Sequence, residues 1–101
     1  MDGRVIELVT FRLEAGVEAD AFRAAAERAT GFMRDQPGFL RRRLSCAEDG
    51  LWIEHVEWSG MAEARAAAAA IGKDERAREF VRAVDGESVR LIHAELAVAD
   101  G

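Results

Sequence analysis

The sequence has 101 residues, of which 50% are apolar and 33% are charged; this composition is typical of one globular domain, expected here to span residues 1–101. A formal charge of −5 and a pI near 5.0 offer no basic surface for nucleic acid or for an anionic membrane, so neither is expected as a partner. The sequence shows no signal-like stretch and no apolar run of about 20 residues, so a cytoplasmic location is expected.

The first third of the chain predicts a strand followed by an amphipathic helix. Residues 5–13 (VIELVTFRL) are rich in β-branched and aromatic side chains and end at a turn-forming EAG sequence. Over residues 18–35, apolar residues recur every three or four positions, which predicts a helix with one buried stripe: Phe22, Ala25, Ala26, Ala29, Phe32 and Met33. The QPG sequence at residues 36–38 should end this helix, because proline disfavours helical geometry before it and glycine accepts a positive φ.

A hairpin is predicted next. Residues 39–46 and 51–58 have strand character and are joined by an Asp-Gly pair at residues 49–50, which is a strong hairpin signal. The arginines at residues 41–43 would place charge on both faces of an edge strand, where it discourages edge-to-edge pairing or recognises an anionic substrate. Cys46 has no partner for an internal disulfide and is expected to be buried and inert.

The last third predicts two helical segments and a strand. Ser59 is placed to cap an alanine-rich helix over residues 62–71. Asp74 should cap a second segment, whose inward face is expected to comprise Ala77, Phe80, Val81 and Val84. Residues 89–98 are expected to form the final strand.

The element order β-α-β-β-α-β predicts an α+β, ferredoxin-like domain with a four-stranded antiparallel sheet, in which the first strand lies between the third and the fourth. The strands are expected to place Ile6, Leu8, Val56, Trp58, Ile92 and Leu96 on one face and Val5, Val9, Phe11, Ile53 and Leu91 on the other. Both faces therefore favour burial, whereas the helices cover only one. A homodimer, in which two sheets form a barrel, is the simplest way to bury the second face.

Four features together cover nearly the whole chain: the opening strand at residues 5–13, the QPGF turn at residues 36–39, the Asp-Gly hairpin at residues 49–50, and the VEWS strand end at residues 56–59 before an alanine-rich helix. In these features the sequence resembles the dimeric α+β-barrel superfamily, and within it the antibiotic biosynthesis monooxygenase-like (ABM) proteins. The resemblance implies a dimeric barrel. The relatives include cofactor-free oxygenases, haem-degrading enzymes, isomerases and members with no known activity.

Two groups of these relatives carry different characteristic residues. The haem-degrading relatives carry an asparagine in the first strand, a tryptophan in the second helix and a haem-ligating histidine. The matching stretches here hold Val9, Ala66-Ala67 and a histidine-free segment at residues 74–84, so haem chemistry is not expected. The cofactor-free oxygenases have a tryptophan near the end of the third strand, which Trp58 matches. The resemblance thus implies chemistry without a cofactor.

The strongest candidates for chemistry are two His-x-Glu units on strands: His55, Glu57, His93 and Glu95. Residues two apart in a strand share a face. We expect Glu7, on the central strand, to lie near both of these glutamates, with both histidines beside Val9, so that five ionisable groups converge on one apolar patch. Neighbouring carboxylates raise one another's pKa values and a histidine charge lowers them, which is one way to make a base near neutrality.

Structural explanations compete with this hypothesis. Each histidine could simply hydrogen-bond a cross-strand glutamate. A metal site is not expected, because no established ligand spacing is matched. Trp52 and Trp58 share a strand face and could be core or dimer contacts instead of a platform for substrate.

The leading hypothesis is a cofactor-independent monooxygenase that acts on a small aromatic or quinol-like substrate. A histidine would act as the base and a glutamate would set its tautomer; the catalytic candidates are His55, His93, Glu57 and Glu95. Substrate contacts are expected from Glu7, Val9, Phe11 and Trp58. The alternative is a non-catalytic, dimeric protein that binds a small molecule or is associated with stress. Isomerase or lyase chemistry would use the same base and is not separated by the sequence.

Overall fold

The computed structural model describes residues 3–101. The predicted order of elements is found, with the second helical region divided into two α-helices joined by short 3-10 segments. In chain order the helices and strands are β1 (Val5–Phe11), α1 (Ala19–Arg34), β2 (Phe39–Cys46), β3 (Trp52–Trp58), α2 (Met61–Ala70), α3 (Arg78–Ala83) and β4 (Arg90–Glu95). No helix in this part of the chain is long and apolar enough to cross a membrane.

The four strands form one antiparallel sheet in the order β2-β3-β1-β4. β1 lies between β3 and β4, so the predicted ferredoxin-like topology is confirmed. In the observed register, Glu7 lies opposite Val56 on β3 and opposite His93 on β4. Odd-numbered residues of β1 therefore share a face with even-numbered residues of β3 and with odd-numbered residues of β4.

The helices pack on one face of the sheet, which we call the inner face. The buried residues of α1 are those of the predicted stripe: Phe22, Ala25, Ala26, Ala29, Phe32 and Met33. At one end of the sheet they pack with Phe11, Trp52 and Phe80, and at the other end with Val5, Val56 and Trp58. The amphipathic spacing of α1 was therefore sufficient to identify the side that covers the sheet.

The opposite, outer face carries Ile6 and Leu8 of β1 and Ile53 of β3. The predicted grouping is wrong for three residues of β3. Val56 and Trp58 were placed with Ile6 and Leu8 but lie on the inner face. Ile53 was placed with the inner-face residues of β1 but lies on the outer face. The prediction failed because both faces of β3 carry apolar residues, so that only its register against β1 decides the assignment.

Two of the predicted helix features are also corrected. Ser59 does not cap α2: the N-cap is Gly60, without a side-chain hydrogen bond, and the Ser59 amide donates to the Gly38 carbonyl at 2.8 Å. Asp74 caps the last helical region as predicted, since its carboxylate accepts from the Arg76 amide at 2.9 Å. Val81, expected to face inward, is 40% exposed.

The first and last strands of the chain, β1 and β4, are shorter than predicted. β1 ends at Phe11, and Leu13 forms only an isolated bridge with Val84. β4 ends at Glu95. Cys46 is exposed, contrary to the expected burial, because it lies at the end of an edge strand.

Candidate functional site

A cavity of about 340 Å³ lies between the inner face of the sheet and the helices. Its volume falls in the range of small-molecule sites in proteins. The wall is formed by residues from the sheet, the helices and the segment before β4: Glu7, Val9, Phe11, Phe32, Met33, Glu54, Trp58, Ala67, Ala68, Ile71, Phe80, Val81, Val84, Gly86, Val89 and Leu91. Apart from the two glutamates and the indole nitrogen of the tryptophan, these side chains are apolar.

Aromatic rings give the cavity its fixed shape. Phe11 and Phe80 meet edge to face, with ring centroids 6.2 Å apart, and Phe80 stacks on Phe22 at 5.3 Å. Trp58 is completely buried and is supported by Phe39 in a second edge-to-face contact. Such contacts hold rings in defined orientations, so the wall presents preformed flat surfaces.

The alanines of α2 leave the space that the cavity occupies. Ala64 and Ala67 are buried against the sheet, and Ala67 and Ala68 line the cavity. An alanine fills little volume, so a helix that carries alanines on its inner side leaves room above the strands.

The first polar group of the cavity is the Glu7–His93 pair. Their strands place the two residues directly opposite each other, and His93 Nε2 lies 2.8 Å from Glu7 Oε2. The side chain of Glu7 is only 10% exposed and that of His93 is 17% exposed. Glu7 lines the cavity, whereas His93 contacts it only through Glu7.

The second polar group is the Glu54–Arg42 pair. Arg42 Nε donates to both carboxylate oxygens of Glu54, at 2.9 and 3.1 Å, and Nη2 lies 2.8 Å from Oε1. Arg42 Nη1 also donates to the Ala26 carbonyl at 2.7 Å and to Thr30 Oγ1 at 3.0 Å, which anchors the guanidinium to α1. Its carbon Cζ lies 5.1 Å from the ring centroid of Phe80. Burial raises the pKa of Glu54, and the hydrogen bonds and charge of Arg42 partly offset this rise.

Trp58 lines the cavity and carries a buried hydrogen-bond donor. Its indole Nε1 is buried and has no acceptor within the described part of the chain. Buried polar groups are normally satisfied, so this unpaired donor in a cavity-lining residue is a candidate partner for an oxygen atom that a bound molecule brings close to it.

The expected convergence of five ionisable groups is wrong. Glu7 and His93 meet on the inner face, but His55 and Glu57 lie on the outer face, opposite Leu8 and Ile6. The physical reason is the register, which links odd residues of β1 to even residues of β3, so that the two histidines point to opposite sides.

Of the other predicted site residues, some line the cavity and one does not. Glu95 is exposed, lies opposite Val5 at the sheet edge and does not line the cavity. Four of the residues predicted to contact substrate do line it: Glu7, Val9, Phe11 and Trp58. Their role in binding stays a prediction.

Sequence reasoning missed Glu54 and Arg42. The available signal was the pattern of β3: an acidic residue at the centre of a strand with tryptophans at both ends is buried if those tryptophans are, and then needs a cation. Arg42 is the middle arginine of its run and points inward, while Arg41 and Arg43 are exposed. Within residues 3–101, no group of three or more His, Cys, Asp or Glu side chains is arranged to hold a metal ion.

No family model matches the chain, and no curated protein matches it in sequence. Solved structures match it in fold. A mutant form of SnoaB, a cofactor-independent oxygenase from Streptomyces nogalater, is 19% identical and has a TM-score of 0.76, with 98% of this chain and 97% of that chain covered. A monooxygenase from the gene ActVA-Orf6 of Streptomyces coelicolor, solved with the ligand nanaomycin D, is 20% identical, with a TM-score of 0.68 and coverage of 98% and 92%.

The fold also occurs in proteins whose names state no activity. SO0527 from Shewanella oneidensis is 14% identical and has a TM-score of 0.71, with 98% of this chain and 96% of that chain covered. At such identities the matches show the fold alone. The chain has the fold of these solved proteins, which include a putative antibiotic biosynthesis monooxygenase from Chloroflexus aurantiacus, and this is the fold that the sequence resemblance implied.

Proposed function

We propose that the cavity binds a small aromatic or quinol-like molecule and that the protein oxidises this molecule as a cofactor-independent monooxygenase. The observation that carries the proposal is a cavity whose wall is aromatic and aliphatic except for two buried acidic residues, Glu7 and Glu54. The structural neighbours support it, since SnoaB is a cofactor-independent oxygenase and the ActVA-Orf6 monooxygenase was solved with nanaomycin D.

The first step of the proposed reaction is a proton transfer. Glu7 lines the cavity and accepts a proton from the substrate, and His93 Nε2, 2.8 Å from Glu7 Oε2, shares the proton. Of the two histidines predicted as bases, His93 is thus the one that acts, through Glu7, and Glu7 rather than Glu95 is its carboxylate partner. The indole N–H of Trp58 donates to the substrate oxygen on which negative charge develops.

The second step is oxygen transfer. For a substrate with a ring CH₂ group, such as an anthrone, deprotonation gives a carbanion that passes one electron to O₂. The resulting radical and superoxide combine to form a C–O bond, and the proton returns from Glu7 to give a hydroperoxide. Loss of water breaks the O–O bond and leaves a carbonyl, so that CH₂ and O₂ become C=O and H₂O. The substrate supplies all the electrons, and the balance requires no cofactor.

The outer face carries a second part of the proposal, the homodimer. It presents Ile6, Leu8, Ile53 and Ile92, the last of them 57% exposed. His55 Nδ1 is buried on this face without a partner in the described chain. We propose that a second copy covers this face, because a domain of this size gains from further apolar burial. Light scattering should find a dimer that Ile92→Arg dissociates and that Val98→Arg, at an 84% exposed site, leaves intact. A monomeric parent protein would contradict the dimer.

Oxygen uptake with a panel of anthrones and hydroquinones tests the activity. We expect uptake above background, with isotope from labelled O₂ appearing in the carbonyl of the product. Glu7→Gln should lower the rate by about 100-fold or more, the usual contribution of a general base. Glu57→Gln is the matched variant on the outer face, and it should retain the rate. Background uptake with the whole panel would count against the oxygenase.

Cavity-filling variants test whether the cavity is the site. Ala68 lines the cavity although it is exposed, so Ala68→Leu should obstruct the space and abolish turnover without overpacking the core. Ala69, the next residue of the same helix, does not line the cavity, and Ala69→Leu is the control. If an aromatic ligand raises the melting temperature, is not consumed, and loses this effect in Ala68→Leu, the alternative of a non-catalytic binding protein replaces the oxygenase.

A further inference from the structure

The charges around the cavity are arranged unevenly. The cavity is lined by two acidic residues, Glu7 and Glu54, and none of its lining residues within residues 3–101 is Arg, Lys or His. The cations that pair with these carboxylates lie outside the cavity. Arg42 lines a separate depression of about 230 Å³ between α1 and β2, and His93 is absent from the cavity wall. The acidic member of each pair therefore lines the cavity, and the basic member does not.

We propose that the cavity selects uncharged, hydrogen-bond-donating aromatic molecules and rejects those that carry a carboxylate, with Glu54 as the specificity-determining residue. This inference rests on the proposed function, in that an aromatic molecule enters the cavity. It adds the charge class of that molecule.

Burying an anion in this cavity is costly. A carboxylate on the ligand would lose its hydration and would find two other carboxylates and no cation within the wall. A phenolic hydroxyl instead donates to a carboxylate oxygen, which is one of the stronger kinds of hydrogen bond. The same wall therefore binds the neutral molecule and penalises the acid.

Glu54 discriminates between neutral and anionic ligands more strongly than Glu7, because its carboxylate is fixed in position. Its carboxylate is held by Arg42 through both oxygens, and Arg42 is in turn held by Ala26 and Thr30 of α1. Both side chains of the pair are about nine-tenths or more buried, at 6% and 5% exposure. Arg42 is thus a positioning residue that keeps the negative charge of Glu54 at the cavity wall.

The exposed part of the cavity wall offers an acidic substituent no cation. Four lining residues are exposed, namely Val81 at 40%, Leu91 at 48%, Ala68 and Gly86, and none of them has a polar side chain. A ligand that projected its carboxylate toward this part of the wall would still lack a cation among the lining residues.

A matched series of ligands tests the inference without requiring turnover. Chrysophanol, aloe-emodin and rhein share one dihydroxyanthraquinone skeleton and carry a methyl, a hydroxymethyl and a carboxylate group at the same ring carbon. Binding is measured at neutral pH by quenching of tryptophan fluorescence, since Trp58 lies in the wall, and by equilibrium dialysis. We expect the two neutral compounds to bind and rhein to bind about tenfold more weakly or worse, the order expected for like charges at a partly screened site.

Two variants assign the effect to the carboxylates. In Glu54→Gln, the dissociation constant of rhein should lie within about threefold of that of aloe-emodin, because the amide removes the repulsion. If Glu54→Gln does not fold, Glu7→Gln should reduce the same difference in affinity between aloe-emodin and rhein, which we call the gap. The comparison of the three ligands on the parent protein does not depend on either variant. Glu57→Gln removes a buried carboxylate from the same strand but from the outer face, and should leave the gap unchanged.

The outcomes separate the two proposals. If rhein binds as tightly as aloe-emodin, the charge inference is overturned while the aromatic cavity stands. A gap that persists in both Glu54→Gln and Glu7→Gln also overturns it, because the wall carboxylates are then not its source. If none of the three compounds binds, aromatic binding at the cavity fails, and the inference fails with it.

Discussion

Removal of Arg42 should destabilise the protein severely, because Glu54 would then be a buried carboxylate without its cation. The two side chains are 6% and 5% exposed and make contacts of 2.8 to 3.1 Å. Breaking a buried ion pair by removing one partner costs about 3–5 kcal/mol, a large part of the roughly 5–15 kcal/mol that holds a domain folded. We therefore expect Arg42→Met to lower the free energy of unfolding by about 3–5 kcal/mol at neutral pH.

The loss should depend on pH in a defined direction. Burial already raises the pKa of Glu54 above its ordinary value, and Arg42 opposes the rise. Without Arg42 the pKa of folded Glu54 rises further, so the folded variant holds a proton that the unfolded chain releases. Stability that comes from such a raised pKa is present at low pH and is lost as the pH rises through the folded value. The deficit of Arg42→Met should therefore shrink between about pH 7 and about pH 5.

Urea unfolding at fixed protein concentration measures both effects. The double variant Arg42→Met/Glu54→Leu should recover most of the loss, because apolar residues often replace a buried pair at little cost. Arg12→Met is the control, since Arg12 pairs with Asp49 at 2.9 Å at exposed positions and such pairs contribute about 1 kcal/mol or less. A loss below about 1 kcal/mol for Arg42→Met, unchanged between the two pH values, would refute the description of Glu54 as a buried carboxylate.

Two further stability predictions follow from backbone geometry and from the histidines. Gly38 has φ of +82°, and a Cβ there would lie 2.5 Å from Ser59 Oγ, so Gly38→Ala should lose about 1–3 kcal/mol, whereas Gly72→Ala, with open space around the site, should stay within about 1 kcal/mol by urea unfolding. His93→Leu should lose about 1–3 kcal/mol by leaving Glu7 buried and unpaired, whereas His55→Leu should be neutral or stabilising because its Nδ1 has no partner in residues 3–101; equal losses would contradict the separation of the two faces.

The topology was predictable because several local signals agreed with one another. The spacing of the apolar residues of α1 identified its buried side, and the Asp-Gly turn at residues 49–50 paired β2 with β3. The chain order then left β1 as the strand between β3 and β4. These features depend on contacts that are local in sequence or on general rules of connection.

The composition of the site was predictable only in part, because it depends on register. A shift of one residue in strand pairing moves every side chain to the opposite face, and β3 carries apolar residues on both faces. The spacing of His55 and Glu57 therefore showed that they share a face but not which face. Glu54 was missed for the same reason: it lies beside a conspicuous histidine, and only its position opposite Val9 places it at the cavity.

The cavity itself is best explained by the composition of α2. Larger residues at Ala67 and Ala68 would fill the space and bury more apolar surface, and cavity filling commonly stabilises proteins by about 0.5–2 kcal/mol. Alanine is also the strongest helix former, so α2 keeps its helical preference while it gives up packing. Next to this space, the two carboxylates of the wall add a cost of burial that ion pairs only partly offset. A wall that gives up packing and also buries charge is expected where a ligand, rather than stability, determines the residues.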